Sequence, residues 1–106
     1  MAIQNQSMIR GASVSFGLEY DGTTQDLDAA YWTIKKDWND VTPLVQKTIG
    51  DGIDKIGTSK YVWHLEHDDT ANLAPDFYVY DCWIEMNNDF FPILSGTLHI
   101  RPNATD

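Results

Sequence analysis

Cysteine is almost absent from this chain. Cys82 is the only one, so neither an intrachain disulfide nor a multi-cysteine zinc site is available, and the composition fits synthesis in a reducing cytosol. Basic residues are scarce as well, seven against sixteen acids, which leaves a formal charge of -9. All seven (Arg10, Lys35, Lys36, Lys47, Lys55, Lys60 and Arg101) lie outside Tyr61 to Ile100, a stretch that carries seven acids. Nucleic acids and anionic membranes are held by clustered Lys and Arg, so neither is expected as a partner. No apolar run approaches the length of a membrane span, and Met1 to Gly11 lacks the basic start and apolar core of a signal peptide. Glycine-rich phosphate loops and a Gly-x-Ser-x-Gly nucleophile turn are missing too, and with them the common settings for nucleotide binding and serine chemistry.

What remains is 106 residues, 42% of them hydrophobic. A folded chain of this size buries about two thirds of its unfolded surface, enough for one modest core and no second domain. Val14, Phe16, Leu18 and Tyr20 alternate along one face of a strand, and Asp21-Gly22 marks the turn after it. Tyr61, Trp63 and Leu65 share a face in the same way. In Phe77 to Met86, Tyr78, Tyr80, Cys82, Ile84 and Met86 oppose Phe77, Val79, Asp81, Trp83 and Glu85. Asn87-Asn88-Asp89 is turn chemistry, and Leu94, Gly96, Leu98 and Ile100 align on the return, so this pair reads as a hairpin.

The middle of the chain is ambiguous. Leu27, Ala30, Tyr31, Ile34 and Trp38 fall at helical spacing, whereas Tyr31-Trp32-Thr33-Ile34 has the β-branched and aromatic composition of a strand, which is the reading adopted. Val45 to Ile49 and Ile53 to Ile56 give two short strands around Gly50-Asp51-Gly52. Turn signals therefore recur every 8–12 residues or so, the rhythm of an all-β fold. The expectation is a single-domain antiparallel β-sandwich of about seven to nine strands, over residues 8–106, after a loose polar segment at residues 1–7. Its core is expected from Val14, Phe16, Leu18, Ile34, Trp63, Leu65, Tyr80, Cys82, Ile84, Leu98 and Ile100.

The only cluster with metal-ligand chemistry is His64, Glu66, His67, Asp68 and Asp69. It reads as the polar end of a strand entering an acidic turn, so no metal and no cofactor is expected. Cys82 falls on the core face, where an apolar setting makes a thiol inert, and no catalytic constellation emerges. The chain is read as a non-enzyme. Tyr78 or Tyr80 is placed to make a tyrosine-corner hydrogen bond back to the turn at Asp69 to Ala74, a device of sandwich folds. Trp63 belongs to the core, with Trp32 if residues 30 to 35 use that face. Trp38 and Trp83 are left as exposed candidates, and Phe90-Phe91 sits beside a turn where a lone domain would place polar residues. Trp83, Phe90, Phe91 and Trp38 are therefore the candidate interface, with capping of the core as the competing role for Phe90 and Phe91.

Three segments together resemble small phage structural proteins and the N-terminal immunoglobulin-like domain of phage baseplate upper proteins. They are Asp21-Gly22-Thr23-Thr24-Gln25-Asp26-Leu27, then Asp69-Thr70 leading through Leu73-Ala74-Pro75 to Tyr78-Val79-Tyr80-Asp81, and Leu94-Ser95-Gly96-Thr97-Leu98-His99-Ile100-Arg101-Pro102. The similarity spans roughly Met8 to Asp106 and departs at Asp76, where a glycine is usual. The resemblance implies an immunoglobulin-like building block of a phage or prophage particle, of tail or baseplate type, made in the bacterial host cytoplasm and docked to other virion proteins or to further copies of itself. A carbohydrate-binding sandwich that presents Trp38 or Trp83 beside acids is the alternative.

Overall fold

The computed structural model describes residues 2–19, 27–57 and 60–105, with the backbone alone at 2, 18 and 19. Leu18 as a core residue, and the turn and first resemblance segment around Asp21 to Asp26, lie outside the described residues. The fold is all-β. Its strands are β1 (Ala2–Ile3), β2 (Gln6–Ile9), β3 (Val14–Glu19), β4 (Ala29–Lys35), β5 (Val45–Ile49), β6 (Gly52–Gly57), β7 (Lys60–Leu65), β8 (Asp76–Met86) and β9 (Asp89–Arg101). A single helical turn, α1 (His67–Thr70), links β7 to the loop before β8.

The strands are hydrogen-bonded in the order β1-β9-β8-β4-β5-β6-β7-β3, with β2 also against β9. Two blocks stand out, β2-β9-β8-β4-β5 and β6-β7-β3. Among the described residues their strands pair only at Thr48↔Gly52 and Ile49↔Ile53, a parallel contact at a corner where Gly50 and Gly52 take φ of 86° and 98°. Such angles suit glycine and swing the chain from one layer to the other without a hairpin. The result is one mixed, nearly barrel-shaped sheet in place of two separate antiparallel layers. In a flat sheet β4 and β7, three strands apart, would be separated by about 14 Å. Here Trp32 of β4 stacks on Trp63 of β7 with ring centroids 4.0 Å apart, so the sheet closes over itself around these rings.

Within the segment 1–7 that is expected to be loose, Ala2, Ile3, Gln6 and Ser7 are paired instead. β1 and β2 run parallel to β9, and Met8 is buried. Their polar sequence carries no alternating pattern because the exposed edge of β9 supplies the hydrogen bonds and only Met8 has to face the core.

The core follows the alternation closely. Ile34, Trp63, Leu65, Tyr80, Cys82, Ile84, Leu98 and Ile100 are buried, and Val14 and Phe16 pack against them half-buried. Trp32 joins through the strand reading of residues 29–35. The β8–β9 hairpin turns at Asn87 and Asn88, both left-handed at φ 55° and 66°, as a two-residue type I′ turn requires. Of the two candidates for the corner bond it is Tyr78 that makes it, donating its hydroxyl to the Ala74 carbonyl at 2.5 Å.

Tyr80 is tied differently, donating to the Gln4 carbonyl at 2.5 Å. Burial, the dominant cause, pushes its phenol up from 10.0 to about 12. Because the folded value exceeds the unfolded one, neutral Tyr80 stabilises the fold fully below pH 10, and that contribution is lost as the pH rises towards about 12. Denaturation midpoints should fall across this window, and Tyr80→Phe should flatten the decline. An equally steep decline in the variant would locate its source elsewhere.

Candidate docking face

Odd-numbered residues of β4 and β8 point away from the core, and the register places them side by side: Tyr31 beside Trp83, Thr33 beside Asp81, Lys35 beside Val79. Trp83 is held in place by its indole N–H, which donates to the Asp81 carboxylate at 3.1 Å. Beyond β4 the chain leaves the sheet at Asp37, whose N–H donates to the Asp40 carboxylate, and this turn carries Trp38, Val41 and Pro43 to the rim of the same face. Gln46 of β5 completes the floor, its amide donating to the Thr33 hydroxyl. Together they form an open groove of about 550 Å³.

Three of the four candidate interface residues meet there. Trp38, Trp83 and Phe90 all line the groove and are substantially exposed, at 54%, 38% and 56%. Phe90 arrives through a bulge. Cys82 pairs with Leu94 but Trp83 pairs with Pro92, so Ile93 is an extra residue in β9. That insertion reverses the parity of the strand, which places Phe90 opposite Glu85 on the outer face and Phe91 opposite Ile84 on the inner one. Phe91 is therefore separated from the other three, at the open end of the core, 41% exposed.

The neighbouring charges are arranged around this face. Lys36 pairs with Asp76 at 3.1 Å and donates to the Phe77 carbonyl at 3.0 Å. The Phe77 N–H, first, and then Lys36 hold the Asp76 carboxyl below the usual range. Phe77 stacks on His99 at 4.2 Å, extending the aromatic surface along β8 and β9.

The acidic and histidine cluster at residues 64–69 is dispersed. Asp69 accepts the Glu66 N–H to cap α1 and pairs with Lys47 at 2.9 Å, while His67 Nδ1 lies 2.7 Å from the Gly11 carbonyl. Among the described residues, no three His, Cys, Asp or Glu side chains converge as a metal site. His64 points to the outer face of the other layer, its Nδ1 2.6 Å from the Ser15 hydroxyl and its Nε2 3.1 Å from the Asp54 carboxylate. Sequence reasoning missed this Ser15–His64–Asp54 line, because its members come from β3, β7 and β6 and only the register joins them. It lies on an exposed sheet surface, with nothing within 4 Å of where a side chain would start at neighbouring Gly17, and it clips three strands together. Burial raises the Cys82 thiol well above its ordinary value, as fits a packing residue.

No family model matches the chain, and no curated protein matches it.

Proposed function

We propose that this chain is a non-enzymatic assembly module that docks its β4–β5–β8–β9 face onto another protein, as a tail- or baseplate-type component of a phage or prophage particle. The observation that carries the docking reading is the gathering of Tyr31, Trp38, Trp83 and Phe90 around one open groove. Aromatic side chains are enriched where protein interfaces are most tightly packed, and the floor is a rigid sheet, so few of them need ordering on contact. The particle setting rests on the sequence resemblance alone.

A Trp83→Ala, Phe90→Ala double variant tests the reading. Both side chains sit on the outer face, so the chemical denaturation midpoint should stay close to that of the parent. Loss of hot-spot contacts should cost about 2 kcal/mol or more of association energy, roughly thirtyfold in affinity, and remove the variant from assembled particles. Normal incorporation would reject the docking face.

The presence of Trp38 and Trp83 in one groove with Asp81 and Gln46 also favours a second reading, a carbohydrate site in which a sugar ring stacks on an indole and bonds to the polar groups. Specific glycan binding by the parent chain, abolished in the same variant, would replace the docking reading with this one.

A further inference from the structure

Resting on the docking reading, we propose that the partner seated on this face is a second copy of the chain, related by a two-fold axis in the plane of the sheet. The groove's charge argues for it. The chain carries -9 overall, yet the only charged residues lining the groove, among the described residues, are Lys35 and Asp81, one of each sign. A groove whose lining carries no net charge is where an acidic protein can meet itself with least repulsion. Lys35 and Asp81 lie diagonally across the β4–β8 register, two residues apart along the strands. Tyr31, Trp83 and Phe90 lie beyond Asp81 at one end, and Trp38, Val41 and Pro43 lie beyond Lys35 at the other.

A two-fold that bisects the line from Lys35 to Asp81 carries each charge onto its opposite in the other copy. The same operation lays the Trp83 end of one copy over the Trp38 end of the other. The face is thus self-complementary in charge and in apolar surface at once, as an isologous interface must be. A standard interface buries about 800 Å² per partner, roughly an eighth of the 6280 Å² surface of this chain.

The symmetry gives a test that a generic sticky patch cannot pass. Sedimentation equilibrium of the full chain, from about 1 µM to 1 mM, should show a mass rising from 12.0 kDa to twice that value. Lys35→Glu alone places two carboxylates against each other twice per dimer, and Asp81→Lys alone does the same with two ammonium groups, so each should weaken self-association at least about tenfold. An equimolar mixture of the two singly substituted chains restores both opposite-charge pairs and should associate as the parent does. A monomeric parent over the whole range would overturn the second-copy proposal and leave the hetero-docking test above standing. Unimpaired single variants, or a mixture no stronger than its components, would overturn it as well. If Asp81→Lys fails to fold, Lys35→Glu decides alone, because unchanged self-association would sink the pairing.

Discussion

Trp63→Ala should remove about 3–5 kcal/mol of stability, most of what a small domain possesses. Trp63 is fully buried and stacks on Trp32 at 4.0 Å, with Phe16 at 5.1 Å and Tyr80 at 6.0 Å. These rings come from β3, β4, β7 and β8, so the indole bridges the two layers at the place where no strand hydrogen bonds join them. Truncation leaves a cavity the size of an indole inside the closed sheet, in a core that includes Leu65, Ile53 and Ile34. Trp63→Phe should behave quite differently. Among the described residues the Trp63 indole N–H has no hydrogen-bond partner, so phenylalanine keeps a stacked ring and also removes a buried, unsatisfied donor. Chemical denaturation should therefore show a loss for Phe at least about 1.5 kcal/mol smaller than for Ala. A loss under about 1 kcal/mol for Ala would show that the stack does not hold the layers together.

The alternating faces were legible because burial on one side of a strand leaves a period of two in the sequence. That pattern located β3, β7, β8 and most of β9, while β-branched and aromatic composition decided β4, turn chemistry marked Asn87-Asn88, and the corner was narrowed to Tyr78 or Tyr80. It also separated Trp63 and Trp32 from Trp83. Three things lay beyond it. The parallel pairing of β1 and β2 depends on an edge offered by β9, ninety residues away, and leaves no local signature at Gln4, Asn5 or Gln6. The joining of the layers at β5–β6 depends on the angles of Gly50 and Gly52, whose sequence fits a hairpin equally well. The bulge at Ile93 reverses which side of β9 is inward, so a single alternation read from Ile100 back to Phe90 puts Phe90 on the wrong face. Trp83 and Trp38 were recognisable as candidates from composition and parity, but their meeting with Phe90 in one groove required that reversal and the Asp37–Asp40 turn.

Gly96→Ala should be about as damaging, and for a reason written in the N-terminal segment. Between β1 and β2 the chain crosses β9 directly over Gly96, and a β-carbon there would occupy the same space as the Gln4 carbonyl. The crossing cannot shift without loss, because Gln4 N–H donates to Ser95 at 2.8 Å, Asn5 accepts the Thr97 N–H at 3.0 Å, and the Gln4 carbonyl accepts the Tyr80 hydroxyl. Displacing it breaks three hydrogen bonds and leaves the phenol of Tyr80 in the core without its acceptor. At about 1 kcal/mol for each of the two bonds to β9, and 1–3 kcal/mol for the Tyr80 hydroxyl left unsatisfied, a loss of about 3–5 kcal/mol is expected. A coupling experiment isolates the cause. Removing residues 1–5 costs stability by itself, but in that background the methyl group of the alanine meets nothing from Gln4, and the substitution should cost less than about 1 kcal/mol. The two changes are therefore strongly non-additive if the crossing over Gly96 is what the glycine serves. Additive losses would mean that Gly96 is required by β9 itself, and that β1 is an accessory to the fold.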